Sequence, residues 1–166
     1  MPHSLILGIT ESGKTTLAKR LASLYKQKGI GVIVLDPIGD PGWQCDFITS
    51  DEKEFLSVFW ASRKCAVFID ESGEFIGQYD KAMKKTVTKG RHWGHNVHLL
   101  AQGATQVAKI ARDQCTQLFL FTSPFNDTKI LSQEFNKAEL IEASSFPAGT
   151  YFHTSRFGTI EKRKVF

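Results

Sequence analysis

Apolar positions along this chain fall into short continuous runs separated by stretches of helical periodicity. Ser4-Leu5-Ile6-Leu7, Ile30-Gly31-Val32-Ile33-Val34-Leu35, Cys65-Ala66-Val67-Phe68-Ile69 and the segments 96–101 and 117–121 are too short for helices and do not alternate. That is the pattern of strands buried on both faces. Between the first two runs, Thr15 to Tyr25 repeats apolar residues at helical spacing, predicting a helix over 14–28. Further helices are expected over 51–62, with Phe55, Leu56, Phe59 and Trp60 on one face, and at about 79–89, 104–112 and 126–135. Gly149 to Phe166 alternates around Arg156-Phe157-Gly158, which predicts a terminal hairpin. Strands alternating with helices predict an α/β fold: a mainly parallel sheet with helices on both faces and a C-terminal β-hairpin. Residues 1–166 are read as a single domain.

The turn after the first strand carries chemistry. Gly8-Ile9-Thr10-Glu11-Ser12-Gly13-Lys14-Thr15 fits the G-x-x-x-x-G-K-[ST] pattern, and it lies between a predicted strand and a predicted helix. Glycines at both ends let successive N–H groups converge on a phosphate, and the helix N-terminus adds a favourable dipole. The nucleotide contacts expected are Gly8, Ile9, Thr10, Glu11, Ser12, Gly13, Lys14, Thr15 and Thr16. Lys14 is expected to reach the β- and γ-phosphates of ATP, and the Thr15 hydroxyl to ligate Mg²⁺.

A second segment, Ala66-Val67-Phe68-Ile69-Asp70-Glu71, is a buried strand ending in two carboxylates. Ligands of open α/β sheets bind at the carboxyl ends of strands. Asp70 is therefore expected in the Mg²⁺ shell, with Glu71 orienting or deprotonating an attacking water. The strand is expected to be central, flanked by the strand near Leu5 and by the 30–35 strand. A third segment, Lys89 to Gln102, gives an Arg, a short turn, a buried strand and a Gln at its end. If that strand lies beside the Asp70 strand, Gln102 reaches the γ-phosphate. Arg91 sits at the strand's other end, on the order of 25 Å away, which suits a guanidinium donated to a neighbouring subunit.

The net charge of +4 is unevenly distributed: residues 1–80 carry −3 (8 basic, 11 acidic) and residues 81–166 carry +7 (13 basic, 6 acidic). A basic second half points to a polyanion or to a solvated surface. Lys81, Lys85 and Lys89 share a predicted helix face beside Lys84, and Lys162-Arg163-Lys164 forms a second patch. Cys45, Cys65 and Cys115 are widely spaced without metal-ligand pattern, as in a reduced intracellular chain. No apolar run approaches the ~20 residues of a membrane span. Trp93 is read as packing, and His92, His95 and His98 as loop polar groups.

In order, GITESGKTT, VIVLDPIGD, CAVFIDE, GRHWGHNVHLLAQ and Ile110-Ala111-Arg112-Asp113-Gln114-Cys115 with the strand after it resemble the blocks of the FtsK/HerA superfamily over about residues 4–122. Within it the chain most resembles the genome-packaging ATPases of tailless double-stranded DNA viruses. The resemblance implies a RecA-like P-loop NTPase that couples ATP hydrolysis to translocation of double-stranded DNA into a preformed capsid. It makes Lys14 and Thr15 the nucleotide and metal contacts, Asp70 the metal-shell acid, Glu71 the catalytic base and Gln102 the sensor. Arg91 or Arg112 is the arginine acting in trans. It further implies a homo-oligomeric ring of five or six subunits, a capsid or portal-vertex partner, and a place in the host cytoplasm or the virion. Two alternatives stand beside it: a P-loop nucleotide or small-molecule kinase, and an assembly or secretion ATPase of the filamentous-phage type.

Overall fold

The computed structural model describes residues 2–71 and 80–166. Eight strands form one sheet: β1 (His3–Leu7), β2 (Val32–Leu35), β3 (Phe47–Thr49), β4 (Ala66–Ile69), β5 (Asn96–Ala101), β6 (Cys115–Phe121), β7 (Thr150–Ser155) and β8 (Glu161–Lys164). Their order is β3-β2-β4-β5-β1-β6-β7-β8. The first six run parallel, and β7 and β8 extend the sheet antiparallel as the expected hairpin. The Asp70 strand is central, as expected, but its neighbours are β2 and β5. β1 is one strand further on, because β5 is inserted between the two.

The parallel strands are mostly apolar, β2 and β4 at every position, because both faces are covered. Alternate side chains enter different cores: Leu5, Leu7, Ile33, Leu35, Val67 and Ile69 point to one, Ile6, Val32, Val34, Ala66 and Phe68 to the other. Helix α1 (Lys14–Gln27) covers the second core with Leu17, Ala18 and Ala22. The first core is closed by α2 (Glu52–Ala61) through Phe55 and Phe59, α3 (Lys81–Lys89) through Met83 and Val87, α4 (Lys109–Asp113) and α5 (Phe125–Glu134). Asp51 caps α2 by accepting from the Lys53 N–H at 2.9 Å, and Asp80 caps α3 from Met83 N–H at 3.0 Å. The start expected for the basic helix near residue 79 lies outside the described residues. On α3, Met83, Thr86 and Val87 face the core, so Lys81, Lys85 and Lys89 share the exposed side.

Two of the histidines are buried: His95 in the turn before β5, as a loop was expected to hold it, and His98 within β5, which is not a loop. His95 Nδ1 accepts from Cys65 N–H at 3.1 Å, and its Nε2 lies 2.9 Å from Phe59 O. His98 sits inside β5, stacked on Phe68 at 4.5 Å. A strand can bury imidazole as a flat, neutral, nearly apolar ring, which residue type alone does not reveal. Trp93 does pack, edge-on against Trp60 at 5.0 Å.

Candidate active site

Because the central strands are parallel, the residues that follow them collect along one edge. The loop of residues 8–13 follows β1, Asp36 follows β2, Asp70 and Glu71 follow β4, and Gln102 follows β5. The loop's start is pinned from both sides: Gly8 N–H donates to Ala101 O at 3.2 Å, and Ile9 N–H to Thr122 O at 3.0 Å. That first bond also brings the end of β5, and so Gln102, to the rim of the loop. Gly8 permits a close approach that no side chain would survive. A Cβ there would come within 2.5 Å of Ser12 Oγ and 2.7 Å of Phe121 Cβ. Gly13, at φ 113°, turns the chain into α1 in a conformation suited to glycine.

The loop fits a phosphate. Among the described residues no side chain caps the first turn of α1 and no acid occupies it, so its N–H donors keep an unopposed positive end. Ser12 Oγ is buried with no hydrogen-bond partner among the described residues. Glu11, Gly13, Lys14, Thr15 and Thr16 line an open cavity of about 140 Å³ together with Phe166.

Lys14 is only 6% exposed and Asp70 only 4%. Burial pushes the Lys14 amine below its ordinary range, and the carboxylates of Glu71 and Asp70 pull it back. Burial likewise raises Asp70, to about 6. The N–H of Glu71, donating to Asp70 Oδ1 at 2.8 Å, opposes that rise, and the negative charges of Asp36 and Glu71 add to it. These four side chains therefore share one electrostatic neighbourhood, in which a divalent cation would relieve the crowded acids. The Thr15 hydroxyl and the Asp70 carboxylate are hard oxygen donors of the kind Mg²⁺ takes. Glu71 has φ 52°, an uncommon left-handed conformation for a residue with a side chain, at the point where β4 ends. Strain of this kind concentrates at functional sites.

Asp36 is a further member of the site to which sequence reasoning gave no role. Its carboxylate accepts from the N–H groups of Ile38 (3.0 Å) and Asp40 (2.9 Å) and from Trp43 Nε1 (3.2 Å), tying down the loop beside Asp70. The signal was present: an Asp before Pro-x-Gly is a residue that bonds its own following backbone.

The two candidate trans-acting arginines have different surroundings. Arg91 lies in a single 3-10 turn, Gly90–Trp93, before β5, exposed, with one donor on Gln114 O at 2.8 Å. It is at the opposite edge of the sheet from Lys14, a six-residue strand or roughly 20 Å away. Arg112 is held within its own chain. Its guanidinium is turned inward, donating to Ala104 O (3.0 Å), Val107 O (2.6 Å) and both oxygens of Glu134 (3.0 and 2.8 Å), and the residue is 8% exposed. Among the described residues it is a buried tie between the carbonyls before α4 and the carboxylate of Glu134.

The phosphate-loop turn, the acids after β4 and the parallel sheet that joins them define a P-loop ATPase. The family model described as Helicase HerA, central domain, matches residues 1–146, and the chain belongs to this family, within the FtsK/HerA superfamily. That membership separates it from the kinase alternative. Comparison with curated proteins yields no match. Among solved structures, the chain is similar to the genome-packaging NTPase B204 of Sulfolobus turreted icosahedral virus 2 in complex with AMPPCP. The identity is 17%, the TM-score 0.83, and the match covers 98% of this chain and 96% of that one. It is also similar to VirB4 of Thermoanaerobacter pseudethanolicus (10% identity, TM-score 0.72, 98% and 88% covered). The conjugation coupling protein TcpA of pCW3 with ATPγS shares 16% identity at TM-score 0.71, over 98% of this chain and 59% of that one. At such identities the likeness establishes the fold. No helix among the described residues is long and apolar enough to cross a membrane.

Proposed function

We propose that this chain hydrolyses ATP to translocate double-stranded DNA, in the role of packaging a viral genome into a preformed capsid. The observation that carries this reading is the likeness to the B204 packaging NTPase, which runs over nearly the whole of both chains. The convergence of the phosphate loop, Asp70, Glu71 and Gln102 on one sheet edge is consistent with it. In this reading the loop N–H groups of residues 8–16 hold the phosphates, and Lys14 neutralises the β–γ region. Thr15 and Asp70 would hold Mg²⁺, which supplies further charge neutralisation when bound. Glu71 orients water against the γ-phosphorus and accepts its proton, and Gln102 senses the γ-phosphate.

Arg91 is too far to serve its own subunit's nucleotide and is assigned to a neighbour's. A head-to-tail contact of that kind closes with rotational symmetry, giving a ring of five or six subunits. The exposed Lys81, Lys85 and Lys89 face of α3 is assigned to DNA phosphates, a contact independent of sequence and weakened by salt. The edge strand β8 is different: all four of its residues are exposed, and Lys-rich edges commonly guard a sheet against unwanted pairing. A capsid or portal-vertex partner and a location in the host cytoplasm or virion belong to the same reading. Its test is the ATPase rate of the purified chain with and without linear double-stranded DNA across a salt titration. Stimulation by DNA that fades as salt rises is expected. ATP turnover indifferent to DNA at low salt would refute the translocase reading.

A further inference from the structure

We infer that the Phe166 ring is the platform on which the base of the bound nucleoside triphosphate stacks. The inference rests on the nucleotide reading of the phosphate loop and adds the group that holds the other end of the ligand. β8 runs antiparallel to β7, which is itself antiparallel to β6, so the chain after Lys164 emerges at the edge that carries the loop. There Phe166 shares the lining of the 140 Å³ cavity with Gly13, Lys14, Thr15 and Thr16.

The ring is held in place by the loop itself. Val165 N–H donates to Gly149 O at 2.7 Å, and Gly149 N–H donates to Ser12 O at 2.8 Å. Two glycines make its seat: a Cβ at Gly149 would lie 2.9 Å from the ring, and one at Gly13 would lie 3.3 Å from it. Val165 beside it is 3% exposed and packs in the core, whereas Phe166 is 66% exposed. A large apolar ring is thus backed by glycines on one side and left open to the phosphate-binding cavity on the other. An aromatic face is what a purine base requires, since every base presents a π-face and stacking needs no hydrogen-bond readout. The ligand class is a nucleoside triphosphate with purines preferred over pyrimidines, because the larger ring covers more of the platform.

The test compares Phe166→Ala with the parent chain, binding ATP and, separately, inorganic tripolyphosphate, which has the phosphates and no base. Thermal melting confirms that both chains are folded. Alanine is expected to weaken ATP about tenfold, equivalent to ~1.4 kcal/mol, and to leave tripolyphosphate unchanged. Phe166→Trp should retain ATP affinity, and its indole fluorescence should change with ATP but not with tripolyphosphate. Equal ATP affinity in Phe166→Ala and the parent would overturn the inference. So would a loss of ATP and tripolyphosphate affinity by the same factor, since the ring would then be supporting the loop and not the base. A parent chain that binds neither compound would overturn the nucleotide reading, and this inference with it.

Discussion

Arg112 offers a direct way to separate a structural arginine from a catalytic one. Its side chain and that of Glu134 are 10% and 14% exposed, joined by two N–H···O bonds at 3.0 and 2.8 Å. Two further donors satisfy the carbonyls of Ala104 and Val107. Arg112→Ala would leave a buried carboxylate without its cation and the carbonyl of Val107 without the guanidinium, while Ala104 O keeps the Val107 N–H at 3.2 Å. Removing one partner of a buried pair typically costs ~3–5 kcal/mol. For a domain of this size each kcal/mol moves the melting temperature by roughly 2–4 °C, so a fall of roughly 6–20 °C is expected. The assay is calorimetric or circular-dichroism melting of Arg112→Ala, Glu134→Ala, the double variant and Arg91→Ala. The double variant should melt well above the sum of the two single losses, because it leaves no orphaned charge. Arg91→Ala removes one exposed hydrogen bond and should melt within a few degrees of the parent. An Arg112→Ala chain that melts like the parent but has lost ATP turnover would refute the structural assignment and restore Arg112 as the residue that acts in trans.

Glu71→Gln should bind ATP while turnover drops by ~10²-fold or more, since the phosphate contacts survive and the water loses its base; unchanged turnover would remove Glu71 from the chemistry. Lys14→Ala should lose ATP binding itself, read by titration calorimetry. Mixing Lys14→Ala with Arg91→Ala should recover part of the ATPase activity wherever an intact loop meets an intact arginine, and no recovery at any ratio would place hydrolysis within one subunit. Acid should unfold the chain through two buried histidines, because burial holds His3 at about 4 and His98 at about 3, against 6.5 when unfolded. Their contribution is complete above pH 6.5 and is lost as pH falls through 6.5 toward those values, about 2 kcal/mol from each by pH 5. Urea midpoints equal at pH 7 and pH 5 would contradict it.

Much of this molecule was legible because parallel strands covered on both faces are largely apolar: β2 and β4 at every position, and β1, β5 and β6 over residues 5–7, 99–101 and 118–121. The same uniformity hid their order: nothing along the apolar runs says that β5 lies between β4 and β1, so the Leu5 strand was wrongly expected next to Asp70. β3 was missed because three residues at a sheet edge carry little pattern; it exists through pairing with β2, where Asp46 accepts from Val32 N–H at 2.8 Å. The site divides in the same way. The phosphate loop, Asp70, Glu71 and Gln102 are each announced by what adjoins them in the chain, and the geometry then needs only to align the strand ends. Arg112 could not be read locally, because the carboxylate that claims it lies 22 residues on. Nor could Phe166, whose place depends on Gly149 and Ser12 meeting across the fold. A motif therefore reports the residues that touch phosphate through the backbone beside them. The groups that decide which arginine is free, and what lies over the loop, are set by contacts between distant segments.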